Sequence, residues 1–265
     1  MSLATIDKLT YLFYLLGYIV ALIISILLRQ KYRTSRLRVV LYSFTIAYGF
    51  LCAKLGGIIL TQINLARGHG GGSASSIFGA VVFTPVLEIL TVEIERGIRA
   101  LLRKRKKQIP VVSVRDTLDM LTPSIFMILI FGKFKCACVG CCCGYPCSWG
   151  IVSHFTGERM FPVQLFEAAT TLLILLVCFK IKESSFFRRG MAYPLTAAMY
   201  SAARFGWEFA RYYLPEGRNY FGVITFWQCA CILVFVCSVI SIVWLYKTKP
   251  SEPLPKIGKK QPKYQ

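Results

Sequence analysis

Seven long apolar runs divide the chain: Leu9–Leu28, Val39–Leu60, Ile77–Val92, Leu118–Phe134, Val163–Phe179, Met191–Phe209 and Gly222–Tyr246. A helix crosses a bilayer core about 30 Å thick with roughly 20 mostly apolar residues. Each run therefore predicts one membrane-spanning helix. The third is short and carries Pro85 and Glu88, and the sixth is the least apolar and ends in charged residues. These two are expected to line something polar. The first run is expected to be a span and not a signal peptide, because Arg29 stops it and no small-residue cleavage site follows. The expected fold is all-α: a polytopic membrane domain over residues 1–250, seven helices with a small outer head segment. Residues 251–265, rich in Pro, Lys and Gln without apolar periodicity, predict a disordered basic cytoplasmic tail.

Composition sharpens this reading. Apolar types make up 55% of the 265 residues and charged types 17%, against about 45–50% and about 25% for a soluble domain. The 32 Lys and Arg outweigh 12 Asp and Glu, a balance that would ordinarily raise nucleic-acid binding. The basic residues fall instead in short blocks between apolar runs, as in polytopic membrane proteins, so no nucleic-acid partner is expected. Alternate connections, Arg29 to Arg38, Arg96 to Arg115, Lys180 to Arg189 and the tail from Lys247, hold 23 of the 32. Positive loops remain cytoplasmic, which predicts Met1 outside and the C-terminus inside. The run Arg103–Lys107 reads as a topology determinant in contact with anionic lipid.

Ionisable side chains inside a membrane are costly and are functional candidates by default. Four groups stand out, all predicted near the outer face. Lys54 lies in the second run, followed by the loop Ile63–Ser76 with Arg67, His69 and Gly70-Gly71-Gly72. Lys133 and Lys135 lead into CACVGCCCGYPC. FPVQLFEA, residues 161–168, sets Gln164 and Glu167 one helical turn apart. RFGWEFAR, residues 204–211, sets Arg204, Glu208 and Arg211 at i, i+4 and i+7, on one face of a helix. Arginine's planar fork suits bidentate phosphate contact. A bland reading competes with this: a Glu–Arg pair can neutralise itself and lock two helices together, and Lys54 or Lys133 can snorkel to the interface. Convergence of four groups on one side favours a site.

Six of the 11 cysteines are Cys136, Cys138, Cys141, Cys142, Cys143 and Cys147. Their spacing could serve zinc or an iron–sulfur cluster. No histidine accompanies them and the run begins inside an apolar span, so packed thiols or a bridge within the turn is favoured, and no metal or cofactor is expected. The other five, scattered in the spans, read as small apolar residues.

These motifs together resemble one family, the bacterial prolipoprotein diacylglyceryl transferases. The resemblance runs through most of the chain and is carried by YLFYLLGY at 11–18, GGGSASSIFGA at 70–80, VGCCCGYP at 139–146, FPVQLFEA and RFGWEFAR. FPVQLFEA is similar to the family's HP(S/V)QLYEA, RFGWEFAR to its RFxxEFxR, and GCCCG to the GCCYG form of divergent members. The resemblance implies seven membrane helices with a small outer head. It also implies transfer of the diacylglyceryl group of phosphatidylglycerol to the lipobox cysteine thiol of a prolipoprotein, at the outer leaflet. By motif position, Arg204 and Glu208 would be catalytic. Arg211, Gln164, Glu167, Lys133, Lys54 and Gly144 would bind substrate. This chain departs from the family's pattern at several positions. Phe78-Gly79-Ala80 stands in place of HGG and Phe161 in place of the motif histidine. Lys133, Cys136 and Cys141 occupy the signature arginine, asparagine and glutamate positions, and Lys54 an arginine position. An alternative reading follows from the missing histidine: a catalytically inactive relative that binds anionic phospholipid or lipoprotein. A transporter is disfavoured, because the polar residues gather on one side instead of at the midplane.

Overall fold

The computed structural model describes residues 3–32, 58, 62, 77–102, 114–153, 156–212, 220–221 and 224–248. Among the described residues there are six helices: α1 (Leu3–Tyr32), α2 (Ile77–Leu102), α3 (Val114–Val139), α4 (Val163–Ile181), α5 (Ala192–Phe209) and α6 (Phe226–Lys247). Six of the seven expected spans fall on these helices. The second, Val39–Leu60, lies outside the described residues, as does the tail 251–265. Among the described residues, four helices are long and apolar enough to cross a membrane: α1, α3, α4 and α6. The all-α expectation needs one addition. Pro146–Val152 (β1) pairs antiparallel with Arg159–Met160 (β2), and Tyr220–Phe221 (β3) with Ile224–Thr225 (β4). Ordinary strand periodicity is absent from such short segments, which is why the sequence hides them.

Helix α3 is central, packing against α1, α2, α4 and α5, while α5 packs along α6. Its apolar face, Phe126, Leu129 and Ile130, meets Ile174, Leu175 and Cys178 of α4, Tyr193, Ala197 and Tyr200 of α5, and Cys231 and Val234 of α6. The outward faces remain apolar: Ile232, Leu233, Phe235, Val236, Ile240 and Val243 of α6 are exposed, as are Leu15, Ile19, Ile23 and Leu27 of α1. So continuous an apolar surface is a lipid-facing one.

Small residues let α1 approach α3. Gly17, Ala21 and Ser25 recur every four residues on one face, and a Cβ on Gly17 would sit 2.9 Å from the Phe131 Cβ. Ser124 of α3 donates to the Ala21 carbonyl at 3.0 Å and lies 3.0 Å from the Ser25 hydroxyl. Close backbone approach with hydroxyl cross-links is how membrane helices associate when no hydrophobic gradient drives them together.

The two ends of the bundle are chemically different. At one end, Asp119 of α3 accepts from the backbone N–H groups of Gly190 and Ala192, both at 2.8 Å. Asp119 thereby caps α5 from a neighbouring helix. Arg189 forks onto Asp116, with Nε 2.6 Å from Oδ1 and Nη2 on the other oxygen. Arg115 reaches Thr248 at 3.3 Å and stacks on Trp244. Replacing Asp119 with alanine strands two buried donors and should cost about 1–3 kcal/mol. Asn keeps one acceptor and should lose less, as thermal unfolding in detergent would measure. The site lies at the other end, where α3 and α5 finish and α4 and α6 begin.

Candidate active site

The site begins with a helix start. Pro162 ends an extended segment and occupies the N-cap of α4, and the first turn then presents Gln164 and Glu167 inward. Gln164 is fully buried and Glu167 is 2% exposed. Glu167 is the hub. It accepts from Lys133 of α3 and from Arg211 Nη2 at 2.9 and 3.0 Å, and it forms an ion pair with Arg204 of α5, whose Nε lies 3.2 Å away. A second carboxylate, Glu208, takes the Arg204 Nη1 donor and lies 3.7 Å from Arg211 Nε. All five side chains are buried. Among the described residues the cluster holds three cations and two carboxylates, a formal excess of one positive charge.

The sequence spacing is realised in part. Arg204 and Glu208 pair at i, i+4 within α5, as a helix face requires. Arg211 lies beyond the helix: α5 stops at Phe209, Ala210 is the C-cap, and Arg211 forms an isolated antiparallel bridge with Gly144. Its convergence on Glu167 comes from this strap and not from a third turn of helix. Lys133 and Lys135 are separated by about 200° around a helix. Lys133 enters the cluster, while Lys135 turns away to the Tyr14 hydroxyl of α1 at 3.3 Å. Lys54, His69, His154 and the glycine run 70–72 lie outside the described residues.

Gly144 holds the strap. Its N–H donates to the Phe161 carbonyl at 2.8 Å, Tyr212 N–H donates to the Cys143 carbonyl at 3.1 Å, and Phe161 N–H donates to the Tyr145 carbonyl at 2.9 Å. The cysteine loop is thus laced between the start of α4 and the end of α5. A Cβ on Gly144 would meet the Ala210 carbonyl oxygen at 2.6 Å, with Phe161 and Val163 side-chain atoms at 2.9 Å. Gly144→Ala should therefore push the strap off Arg211, at about 1–3 kcal/mol of overpacking. A lowered unfolding temperature together with loss of site function is the expected result.

The described cysteines are free thiols, and among the described residues no group of donors is arranged to hold a metal ion. Gln164 clamps the loop, its Nε2 donating to the Cys141 carbonyl and lying 3.1 Å from Cys143 Sγ. The Gln164 Oε1 atom is buried without a hydrogen-bond partner among the described residues. Sequence reading missed Thr225. Its hydroxyl donates to Glu208 Oε1 at 3.2 Å and accepts from Gln228 N–H at 3.2 Å, while the Gln228 side chain accepts from Thr225 N–H at 2.9 Å. This is a capping box opening α6, and the T-x-x-Q spacing at residues 225–228 is its signal. An aromatic ladder borders the site: Trp149 against Phe161, Phe161 stacked on Phe166 at 5.0 Å, and Phe166 against Trp207. Trp149 and Phe166 are exposed, as aromatic side chains at a membrane interface are.

A buried, net-cationic cluster drawn from the C-terminal halves of two apolar helices and the start of a third suits an anionic headgroup. The sequence model of the family described as prolipoprotein diacylglyceryl transferase matches residues 5–244. The chain belongs to the prolipoprotein diacylglyceryl transferase family. No curated protein matches it. Family membership identifies a multi-pass membrane transferase of lipoprotein biosynthesis, one that acts on prolipoproteins and membrane lipid. In this member of the family, the two motifs FPVQLFEA and RFGWEFAR meet around a single carboxylate, Glu167.

Proposed function

We propose that the chain transfers the diacylglyceryl group of phosphatidylglycerol to the thiol of a lipobox cysteine in a prolipoprotein, at the outer leaflet of a bacterial plasma membrane. The observation that carries this reading is the excess positive charge of the buried cluster. A formal excess of cations in a poorly solvated site suits an anion, and the donor's phosphodiester supplies one. In the proposed reaction the acceptor sulfur attacks the glyceryl CH₂ that bears the phosphate ester. The carbon–oxygen bond breaks and glycerol phosphate leaves, carrying more negative charge than the diester had. A cationic cluster binds that developing charge more strongly than it binds the substrate, which is what lowers a barrier.

Arg204 takes the phosphate through its fork, and Glu208 sets the orientation of that fork. Arg211 and Lys133 contribute charge, and Glu167 holds all three cations in register. Gln164 offers its Oε1 to a donor of the headgroup, and Gly144 keeps the strap closed. Lys54 joins them on motif position alone. No cofactor enters the proposal.

Sidedness has its own support. Lys180, Arg188, Arg189 and Lys247 belong to the end of the bundle opposite the site, and basic ends remain cytoplasmic. This reading puts the cluster outside, Met1 outside and the C-terminus in the cytoplasm. Reporter fusions in the Arg103–Lys107 segment should read cytoplasmic, and fusions in the Gly70–Gly72 segment external. Both on one side would refute the topology.

The deciding experiment offers a lipobox peptide to the purified protein in liposomes and reads the mass added to the peptide. Vesicles with phosphatidylglycerol should support transfer, and vesicles with only zwitterionic lipid should not. Binding of anionic lipid without any transfer would establish the inactive relative instead.

A further inference from the structure

Gln164 stands where the cysteine loop meets the ion cluster, and only the nitrogen side of its amide is engaged. Its Nε2 donates to the Cys141 carbonyl and lies 3.1 Å from Cys143 Sγ. The Cys143 thiol gives its own proton to the Gly140 carbonyl at 3.2 Å, so toward Gln164 it presents a lone pair. The Ser153 hydroxyl donates to the same Gly140 carbonyl at 2.9 Å and anchors that turn. Both N–H bonds of the amide are thus directed at acceptors. The amide cannot turn over, because its oxygen would then face the Cys141 carbonyl oxygen. What remains is Oε1, a fixed acceptor on a fully buried side chain, with no hydrogen-bond partner among the described residues. A buried acceptor left unmet is costly. Water can serve it in the resting site, and a ligand that displaces the water must bring a donor or lose affinity.

The kind of donor follows from the surroundings. Glu167 lies three residues on in the same helix, about 4.5 Å along the axis at about 1.5 Å per residue. It gathers Lys133, Arg204 and Arg211, so an anion seated on those cations lies about one helical turn from Gln164. An ammonium donor would add a cation to a cluster that already holds three cations against two carboxylates. A hydroxyl donates without adding charge.

We propose that Gln164 reads the hydroxyl of an anionic headgroup: its Oε1 accepts from a hydroxyl on the carbon chain beyond the phosphate. The contact rests on the phosphatidylglycerol reading above and makes Gln164 a specificity-determining residue for that donor. Charge separates anionic from zwitterionic lipid, and this contact separates anionic lipids from one another. A site built to hydrogen-bond a hydroxyl rejects the analogue that lacks it far more strongly than an apolar pocket rejects one that adds it.

The test compares phosphatidylglycerol with phosphatidylpropanol, which has the same single charge and three-carbon headgroup but no hydroxyl. Both would deliver the same diacylglyceryl group, so the modified lipobox peptide is identical and only the headgroup differs. The full chain is placed in zwitterionic liposomes with an equal fraction of either lipid, and binding and peptide transfer are both measured. The wild type should favour phosphatidylglycerol by about 5-fold to 100-fold, the cost of one unmet buried acceptor. In Gln164→Met, which keeps the length of the side chain and removes the amide oxygen, that ratio should collapse toward one. A loss of folded protein scales both lipids alike and leaves the ratio readable. Soluble glycerol phosphate, the other source of the same chemistry, should compete better than propyl phosphate against wild type and no better against Gln164→Met. A wild type indifferent to the two lipids, or a Gln164→Met protein that keeps the preference, overturns the contact and leaves the transfer reading standing. So does a Gln164→Met defect confined to the KM for the lipobox peptide, which would assign the oxygen to the acceptor. A preference in binding that Gln164→Met abolishes, without transfer from either lipid, upholds the contact and overturns the transfer reading.

Discussion

Replacing Glu167 with alanine should destabilise the protein by about 3–5 kcal/mol, the cost of removing one member of a buried ion cluster and leaving its partners uncompensated. The effect is larger here than for an isolated pair, because Glu167 serves Lys133, Arg204 and Arg211 at once. Without it, three cations face a single remaining carboxylate, Glu208. The three helices and the strap they tie together should separate at the site end, while the Asp119 and Asp116 contacts keep the other end closed. Thermal unfolding in detergent should show a lower midpoint, and protease cleavage should appear near the 140–147 loop. Glu167→Gln retains acceptor capacity on one atom and should fall between the two. An unfolding midpoint unchanged in Glu167→Ala would mean that the cluster contributes nothing to holding the helices.

Arg204→Ala should abolish transfer and weaken anionic-lipid binding. Truncating one partner of a buried, charge-assisted contact costs about 2–5 kcal/mol, or roughly 30-fold to several thousand-fold at 1.4 kcal/mol per factor of ten. Arg204 pairs with both carboxylates, its Nε 3.2 Å from Glu167 and its Nη1 donating to Glu208. Lysine keeps the charge and cannot reproduce the fork, so Arg204→Lys should be partly impaired. Arg218, after α5 and outside the described residues, should tolerate alanine. Normal lipid binding and transfer by Arg204→Ala would show that this arginine is a strut between helices and nothing more.

The parts of this site that were legible in the sequence are those governed by local geometry. Arg204 and Glu208 at i, i+4, and Gln164 and Glu167 at i, i+3, are fixed by the pitch of a helix once the helix is recognised. The six helices placed by apolar runs follow from the same reasoning. Features that depend on two distant segments were not legible. Arg211 reaches Glu167 only because the Gly144 strap redirects the chain after Ala210. Helix pitch already separates Lys133 from Lys135, but which of the two faces the cluster follows from where α3 is wedged between α1 and α4. Asp119 belongs to no motif, and its capping role exists only because the fold brings the Gly190 and Ala192 N–H groups to it. The Gly17, Ala21, Ser25 stripe is readable by spacing, but its partner face on α3, at Ser124 and Phe131, is not.

Glu167 also bears on how a ligand would enter. Its two oxygens already sit where an arginine fork expects an anion, so the resting site is occupied by an internal stand-in for phosphate. On the proposed reading, lipid entry is an exchange of anions in which Arg204 and Arg211 loosen from carboxylate as they take up phosphodiester, so that neither arginine is left bare in a medium of low polarity. A lipid whose headgroup carries its own ammonium would compete poorly in that exchange, since it brings a cation into a cluster that already has one too many. Selection among lipids would then be made at the moment of displacement, by charge balance, before any contact with the glycerol itself.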